Sequence, residues 1–245
     1  MTDRGYASRP VTAGHVRSIL LFDLDGTIVL TGGAGLRAFD RTFRELFGKP
    51  GTLDGLRFHG RTDLHIIAEI FEAHFRRSPN EEEIGAFCTR YLGYLKEEVG
   101  RSTGYQVMPG IPALLETLSG REDVLVGLGT GNLEQAARIK LDRARLNHYF
   151  PFGGFGSDAA DRREILRHGI ARAKAIIGQP NAPCQVIVVG DTELDIASGK
   201  AVGALTVAVA TGGDSMEILA AARPSCLLPD LGNPGPLLDL LSSHT

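Results

Sequence analysis

The 245 residues are 43% hydrophobic and 22% charged, enough for one large α/β domain or a core with a smaller insert, and the formal net charge of -3 gives no basic field to attract nucleic acid. Cys88, Cys184 and Cys226 are too few and too scattered for a disulfide framework or a Cys-x-x-Cys metal site, and read as small core residues of a reducing compartment. Met1 to Val16 holds no apolar run resembling a signal peptide and no window reaches the roughly 20 apolar residues of a membrane span, so the expectation is a cytoplasmic monomer or homodimer with no membrane partner.

Taken in order, the chain first offers Ile19-Leu20-Leu21-Phe22 running into Asp23-Leu24-Asp25-Gly26-Thr27. This reads as a buried parallel strand that delivers two carboxylates to its carboxyl end, where ligands of open α/β sheets collect. Asp23 and Asp25 lie two apart, so in continued strand geometry they point the same way, and Gly26 permits a sharp exit. Two like charges that close call for a cation. After the Thr31 to Gly35 connection, Leu36, Phe39, Phe43, Leu46 and Phe47 recur at helical spacing until Gly48-Lys49-Pro50-Gly51. A second helix is expected with Asp63 as its N-cap and Leu64, Ile67, Ile70, Phe71 and Phe75 as its stripe. Asn80 and Glu83 form a capping arrangement for a third, carrying Ile84, Phe87, Cys88, Tyr91, Leu95 and Val99. Residues 33–104 therefore read as a helical domain inserted between core segments 1–32 and 105–245, with glycine hinges at both edges.

Alternation resumes with a short helix after Pro109-Gly110 and a strand at Val124 to Leu128 that ends in Gly129-Thr130-Gly131-Asn132. A helix from Leu133 to about Arg145 follows, its basic run Arg138 to Arg145 reading as a solvated face. Next come an apolar strand at Tyr149 to Phe155, a helix over roughly Glu164 to Ile177, and the β-branched run Gln185 to Val189 ending in Gly190-Asp191-Thr192-Glu193-Leu194-Asp195. Leu205 to Ala210 and Cys226 to Leu228 are further strands before a last short helix. The sum is an α/β fold, a doubly wound parallel sheet with an inserted helical cap. Right-handed crossovers bring Asp23/Asp25, Thr130/Asn132 and Asp191/Asp195 to one edge of it. Four carboxylates in one cleft suit a hard divalent cation such as Mg²⁺.

Asp23-Leu24-Asp25-Gly26-Thr27 resembles the first motif of the haloacid dehalogenase-like hydrolase superfamily, most of whose members are magnesium-dependent phosphatases. Thr130 with the Gly131 amide resembles the second motif, and Gly190-Asp191-Thr192 with Asp195 the fourth. The third is usually a lysine ahead of a helix; here Asp161-Arg162-Arg163 stands in that interval, Arg162 taking the cationic role with Arg163 in reserve. The resemblance implies that Asp23, Asp25 and Asp191 hold Mg²⁺ with Asp195 supporting them, and that Thr130, Gly131, Asn132 and Arg162 bind phosphate. It also implies that Asp23 attacks phosphorus to give an aspartyl-phosphate while Asp25 serves as acid and then base. Among superfamily groups the chain is most similar to phosphoglycolate phosphatases, and the partner implied is a small phosphorylated metabolite.

Blander readings stand beside these. Asp23 and Asp25 can be a turn-and-cap pair, Thr130 and Asp195 can cap helices, and Arg162 can lie on the surface. An EF-hand register would need ligands at Leu21 and Gly32, and Gly127 to Asn132 does not complete G-x-G-x-x-G. In the cap, Arg61 of His59-Gly60-Arg61-Thr62-Asp63 is the candidate to meet a second anionic group of the substrate. Rival functions are a hexose phosphomutase, a phosphonate hydrolase, for which Lys49 lacks context, and a catalytically silent binding protein. A true dehalogenase is not expected to keep Asp25.

Overall fold

The computed structural model of the chain describes residues 16–51, 59–178 and 183–242. The expectation that the chain opens without a signal peptide falls on residues 1–15, outside the described residues. In chain order the strands are β1 Ser18–Phe22, β2 Val29–Thr31, β3 Tyr105–Val107, β4 Val124–Thr130, β5 Gly153–Phe155, β6 Gln185–Gly190, β7 Leu205–Val209 and β8 Cys226–Leu228. The helices are α1 Ala34–Phe47, α2 Asp63–Phe75, α3 Glu81–Arg101, α4 Ile111–Ser119, α5 Glu134–Asp142, α6 Arg162–Ile177, α7 Glu193–Ala201, α8 Met216–Ala221 and α9 Gly235–Ser242.

Six strands form one sheet in the order β5-β4-β1-β6-β7-β8, with every neighbouring pair parallel. β1 is apolar without alternation because both faces of the sheet are covered. Leu20 and Phe22 pack with Leu128, Ile187 and Val189 under α4, α5 and α9, while Ile19 and Leu21 pack with Leu125, Val188 and the Leu166, Ala173 and Ile177 face of α6. Phe22 pairs in register with Leu128 on one side and Val189 on the other, so the carboxyl ends of β1, β4 and β6 are level. The chain reverses its winding direction at β1, and such a switch point opens a crevice at those ends. The architecture is the doubly wound α/β sheet that the strand and helix alternation predicts.

Helices α1, α2 and α3 lie apart from the sheet and share a core of Phe39, Phe43, Ile67, Phe71, Phe87 and Tyr91, joined by Leu133 and Ala136 from the start of α5. Most of the rings pack at tilted or edge angles, with Phe39 to Tyr91 centroids at 4.5 Å and Phe43 to Phe87 at 4.9 Å, while Phe87 and Tyr91 stack at 5.9 Å, separations that ring quadrupoles favour. The Asn80 and Glu83 capping box forms at α3 as expected, but α2 is capped by Thr62, whose side chain accepts from the His65 amide. Asp63 is the first residue inside α2 and its carboxylate points elsewhere.

An antiparallel ribbon of β2 and β3 joins this layer to the sheet, with Thr31 opposite Tyr105. Two three-residue strands carry too little periodicity to be read from sequence. The Tyr149 to Phe155 run resolves into a single helical turn at Asn147–Tyr149 followed by β5, and α6 starts two residues early, at Arg162, because Asp161 is its N-cap. No helix among the described residues is long and apolar enough to cross a membrane.

Candidate active site

Asp23 continues the β1 ladder by one bond, its amide donating to the Val189 carbonyl at 2.8 Å. The strand then ends. Ile28 donates back to Leu24 at 2.9 Å and Gly26 takes φ 87, closing a tight turn that a side chain at position 26 would block, since its Cβ would stand 2.4 Å from Asp191 Oδ2. The turn separates the two motif carboxylates. Asp23 faces Asp191 and Asp195, with one carboxylate oxygen of each within 4.8 Å of the others, all three buried. Asp25 instead accepts at Oδ2 from Lys140 Nζ at 2.6 Å and from Asn132 Nδ2 at 2.8 Å. One carboxylate oxygen each of Asp23, Asp191 and Asp195 could thus hold a metal ion, while the Asp25 side chain turns to Lys140 and Asn132 because the chain leaves the strand after Asp23.

Each member of the trio is held in place. Asp191 Oδ1 accepts from the Thr27 hydroxyl at 3.0 Å and its Oδ2 from the Gly213 amide. Asp195 Oδ2 accepts from the amide and hydroxyl of Thr192 at 3.0 and 2.6 Å, capping α7, and its Oδ1 pairs with Arg162. Asp195 therefore caps a helix and supports the cluster at once. Arg162, the N1 residue of α6, donates from Nη2 to Asp23 Oδ1 at 3.2 Å and from Nη1 to the Gly60 carbonyl at 3.2 Å. Arg163 is exposed and paired with its neighbour Asp161, so Arg162 is the arginine that enters the site.

Burial, then the charge of Asp195, pushes the Asp23 carboxyl up to about 7, with Arg162 opposing. Burial, with Asp195 and Asp23 adding to it, also raises Asp191 well above the usual carboxylate range. Burial alone would weaken the Arg162 guanidinium, but Asp195 and Asp23 outweigh it and hold it protonated. Asp23, Asp191 and Asp195 crowd three carboxylates against the single guanidinium of Arg162, and a divalent cation would relieve that repulsion; the buried trio fits such an ion.

Thr130 ends β4, and its hydroxyl accepts from Asn132 Nδ2 at 3.0 Å. The following loop is stitched to α2: the Asp63 amide donates to the Gly131 carbonyl at 2.9 Å, and Asp63 Oδ2 accepts from the Leu133 amide at 2.8 Å. Burial pushes the Asp63 carboxyl up to about 6 despite the nearby Lys140 charge. A Cβ on Gly131 would stand 2.4 Å from the Arg61 carbonyl oxygen, so only glycine allows this approach. Asp23, Asp25, Thr130, Gly131, Asn132, Arg61 and Arg162 all line one cavity of about 310 Å³, together with His59, Asp63 and Lys140 and apolar wall from Leu30, Leu36, Phe39 and Ile66. Arg61 reaches it while paired with Glu69 of α2.

Lys140 is the site residue that sequence reasoning misses. The run Arg138 to Arg145 is solvated only in part: Asp142, Arg143 and Arg145 are exposed, but Lys140 is buried, Arg138 donates to the Phe150 carbonyl at 2.7 Å, and Arg143 donates to the Ser102 carbonyl at 2.8 Å. The signal is present in the pattern, because Lys140 falls seven residues after Leu133 on the stripe that includes Ala136, Ala137 and Leu141, where an apolar residue belongs.

The sequence profile of haloacid dehalogenase-like hydrolases matches residues 20–209, which is most of the chain. A phosphoglycolate phosphatase of Aquifex aeolicus is 26% identical over 229 residues, covering 92% of this chain and 97% of that protein. A pyrophosphatase of Listeria monocytogenes is 28% identical over 219 residues, 87% of this chain and 93% of its own length. In the same fold, the structure of a putative beta-phosphoglucomutase from Bacteroides vulgatus superposes with a TM-score of 0.64 at 22% identity, over 93% of this chain and 89% of that one. The match spans β1 to β7 and takes in Asp23, Asp25, Thr130, Arg162, Asp191 and Asp195: the chain belongs to the haloacid dehalogenase-like hydrolases.

Proposed function

We propose that this hydrolase is a phosphatase that cleaves a small phosphomonoester through an aspartyl-phosphate on Asp23, with Mg²⁺ as its metal. The observation that carries the reading is that Asp23, bonded to Arg162, lines one cavity together with Thr130, Gly131 and Asp25. Asp23, Asp191 and Asp195 would hold the ion, Asp195 also fixing Arg162 and the head of α7. When bound, Mg²⁺ supplies positive charge beside the phosphoryl oxygens and relieves the paired carboxylates.

The residues then divide the work. An Asp23 oxygen attacks phosphorus as the bond to the leaving oxygen breaks, and the leaving oxygen takes the Asp25 proton. Arg162, the Thr130 hydroxyl and the Gly131 amide hold the equatorial oxygens, since phosphoryl transfer depends mostly on positioning and electrostatics. A water that gives its proton to Asp25 next attacks the phosphoenzyme, releasing phosphate and restoring Asp23. Residues 33–104 act as a cap over this chamber, hinged at the β2–β3 ribbon, where Gly32 lies against Gly104 so closely that a Cβ would stand 2.6 Å from its Cα. The apolar wall of Leu30, Leu36, Phe39 and Ile66 offers few partners for sugar hydroxyls, which favours water over a hexose as the phosphoryl acceptor. Arg61, which lines the cavity, would meet a carboxylate or other anion on a phosphoglycolate-like leaving group.

The test is release of phosphate from p-nitrophenyl phosphate and from a panel of phosphorylated metabolites, with and without Mg²⁺. Metal-dependent turnover that peaks on a small anionic ester is expected. A well-folded, metal-loaded protein with no turnover on any ester would overturn the reading and favour a silent binding protein.

A further inference from the structure

An ammonium buried at a helix position meant for an apolar side chain is costly unless it is paired and hydrogen-bonded, and packing alone would be served by leucine or methionine. Lys140 meets both conditions at once. Its Nζ donates to Asp25 Oδ2 and to Asn132 Oδ1, each at 2.6 Å, and its backbone carbonyl accepts from the Tyr105 hydroxyl at 2.7 Å, which anchors this turn of α5 to the β2–β3 ribbon.

The bond to Asn132 matters because an ammonium only donates. It can therefore face only the oxygen end of the Asn132 amide, and this orients the amide nitrogen toward both Asp25 Oδ2 at 2.8 Å and the Thr130 hydroxyl at 3.0 Å. Asp25 Oδ2 consequently receives two donors, while Oδ1 has no hydrogen-bond partner among the described residues and its carboxyl group lines the cavity, 35% exposed. One lysine thereby braces the proposed acid to the proposed phosphate-binding loop. Arg162 performs no such task, since its contacts are to Asp23, Asp195 and Gly60.

We propose that Lys140 is a positioning residue for the leaving-group step: it locks Asp25 and Asn132 so that Asp25 Oδ1 is the oxygen that gives the proton to the departing alkoxide. This rests on the phosphatase reading above. A defect in that proton transfer falls on esters whose leaving group needs a proton, such as an alkyl phosphate, and much less on p-nitrophenyl phosphate, whose leaving group departs as a stable phenolate. Nucleophile, metal and phosphate binding serve both esters alike.

The experiment compares Lys140→Met with wild type on an alkyl phosphomonoester and on p-nitrophenyl phosphate, reading kcat and KM for each. The expected result is a fall of ~10²-fold in the ratio of the two kcat/KM values, which cover the steps up to leaving-group departure and exclude the later water attack that Asp25 also serves, at the low end of what one positioned acid supplies. Lys140→Arg, which keeps donors for both acceptors, should recover most of that ratio. If the Met variant does not fold, Lys140→Gln, whose shorter side chain puts a neutral amide in place of the ammonium, gives the same comparison. An equal loss on both esters, or no loss on either, overturns the inference. Wild-type protein inactive on both esters and on the wider panel of phosphorylated metabolites overturns the phosphatase reading itself, and this inference with it.

Discussion

Replacing Asp23 with asparagine should stabilise the metal-free protein while it abolishes turnover. Asp23 is buried beside Asp195 and its carboxyl titrates at about 7, against 3.8 for an ordinary aspartate. The native state therefore binds the proton more tightly than the unfolded chain, so stability falls as pH rises from about 4 to about 7 and the whole penalty is present above that. The displacement from the ordinary value corresponds to ~4 kcal/mol. The introduced asparagine carries no charge, yet its amide oxygen would still accept from Arg162. At 2–4 °C per kcal/mol for a chain of this size, the variant should melt ~8–16 °C higher than wild type at pH 8 in the presence of a chelator. The two should converge near pH 4, and added Mg²⁺ should raise the wild type more than the variant, because it relieves the same repulsion. Thermal melts at the two pH values, with and without metal, read all of this. A variant that melts at or below wild type at pH 8, or a gap that does not change with pH, would refute the assignment of Asp23 to a repulsive cluster.

Other perturbations test other parts. Asp63, buried with its carboxyl raised to about 6, carries a penalty of the same sign that is absent below about 4 and complete above about 6; Asp63→Asn should stabilise the fold at pH 8 by up to ~3 kcal/mol and leave it unchanged at pH 4, measured by denaturant melts. Gly131→Ala should force apart the Thr130–Asn132 loop and the Arg61 backbone, lowering kcat/KM by ~10²-fold, whereas Gly93→Ala, whose Cβ meets nothing within 4 Å in α3, should leave activity intact and add ~0.5–1 kcal/mol of stability. Phe87→Ala, which empties the aromatic core of the helical layer, should cost ~3–5 kcal/mol in chemical denaturation.

Much of this molecule is legible in one dimension because its strands are buried on two faces and its chemistry sits where they end. The continuous apolar runs before Asp23, Thr130 and Asp191 mark three neighbouring strands, and their parallel register places the polar residues that follow at one edge. Asp25 shows where such reading stops. Spacing of two predicts a shared direction only while the backbone stays extended, and the turn at Gly26 cancels that condition just after the strand ends. Lys140 is hidden for a different reason: a cation among arginines looks solvated until the helix phase is checked, and its partners lie 8 and 115 residues away in the chain. Asp63 looks like a cap because it sits at a helix start, yet Thr62 fills that role and frees Asp63 to hold the Leu133 amide of the distant loop. The β2–β3 ribbon is fixed by pairing across the whole helical layer, which no local pattern records.

The central claim is that Asp23 carries the phosphoryl group. Acid-quenched single turnovers, digested and examined by mass spectrometry, test it most directly. The account predicts a phosphorylated peptide containing Asp23 that forms and decays within the turnover and is missing from Asp23→Asn. Rapid phosphate release with no phosphorylated peptide at any time, or a phosphoryl group found on another residue, would contradict it.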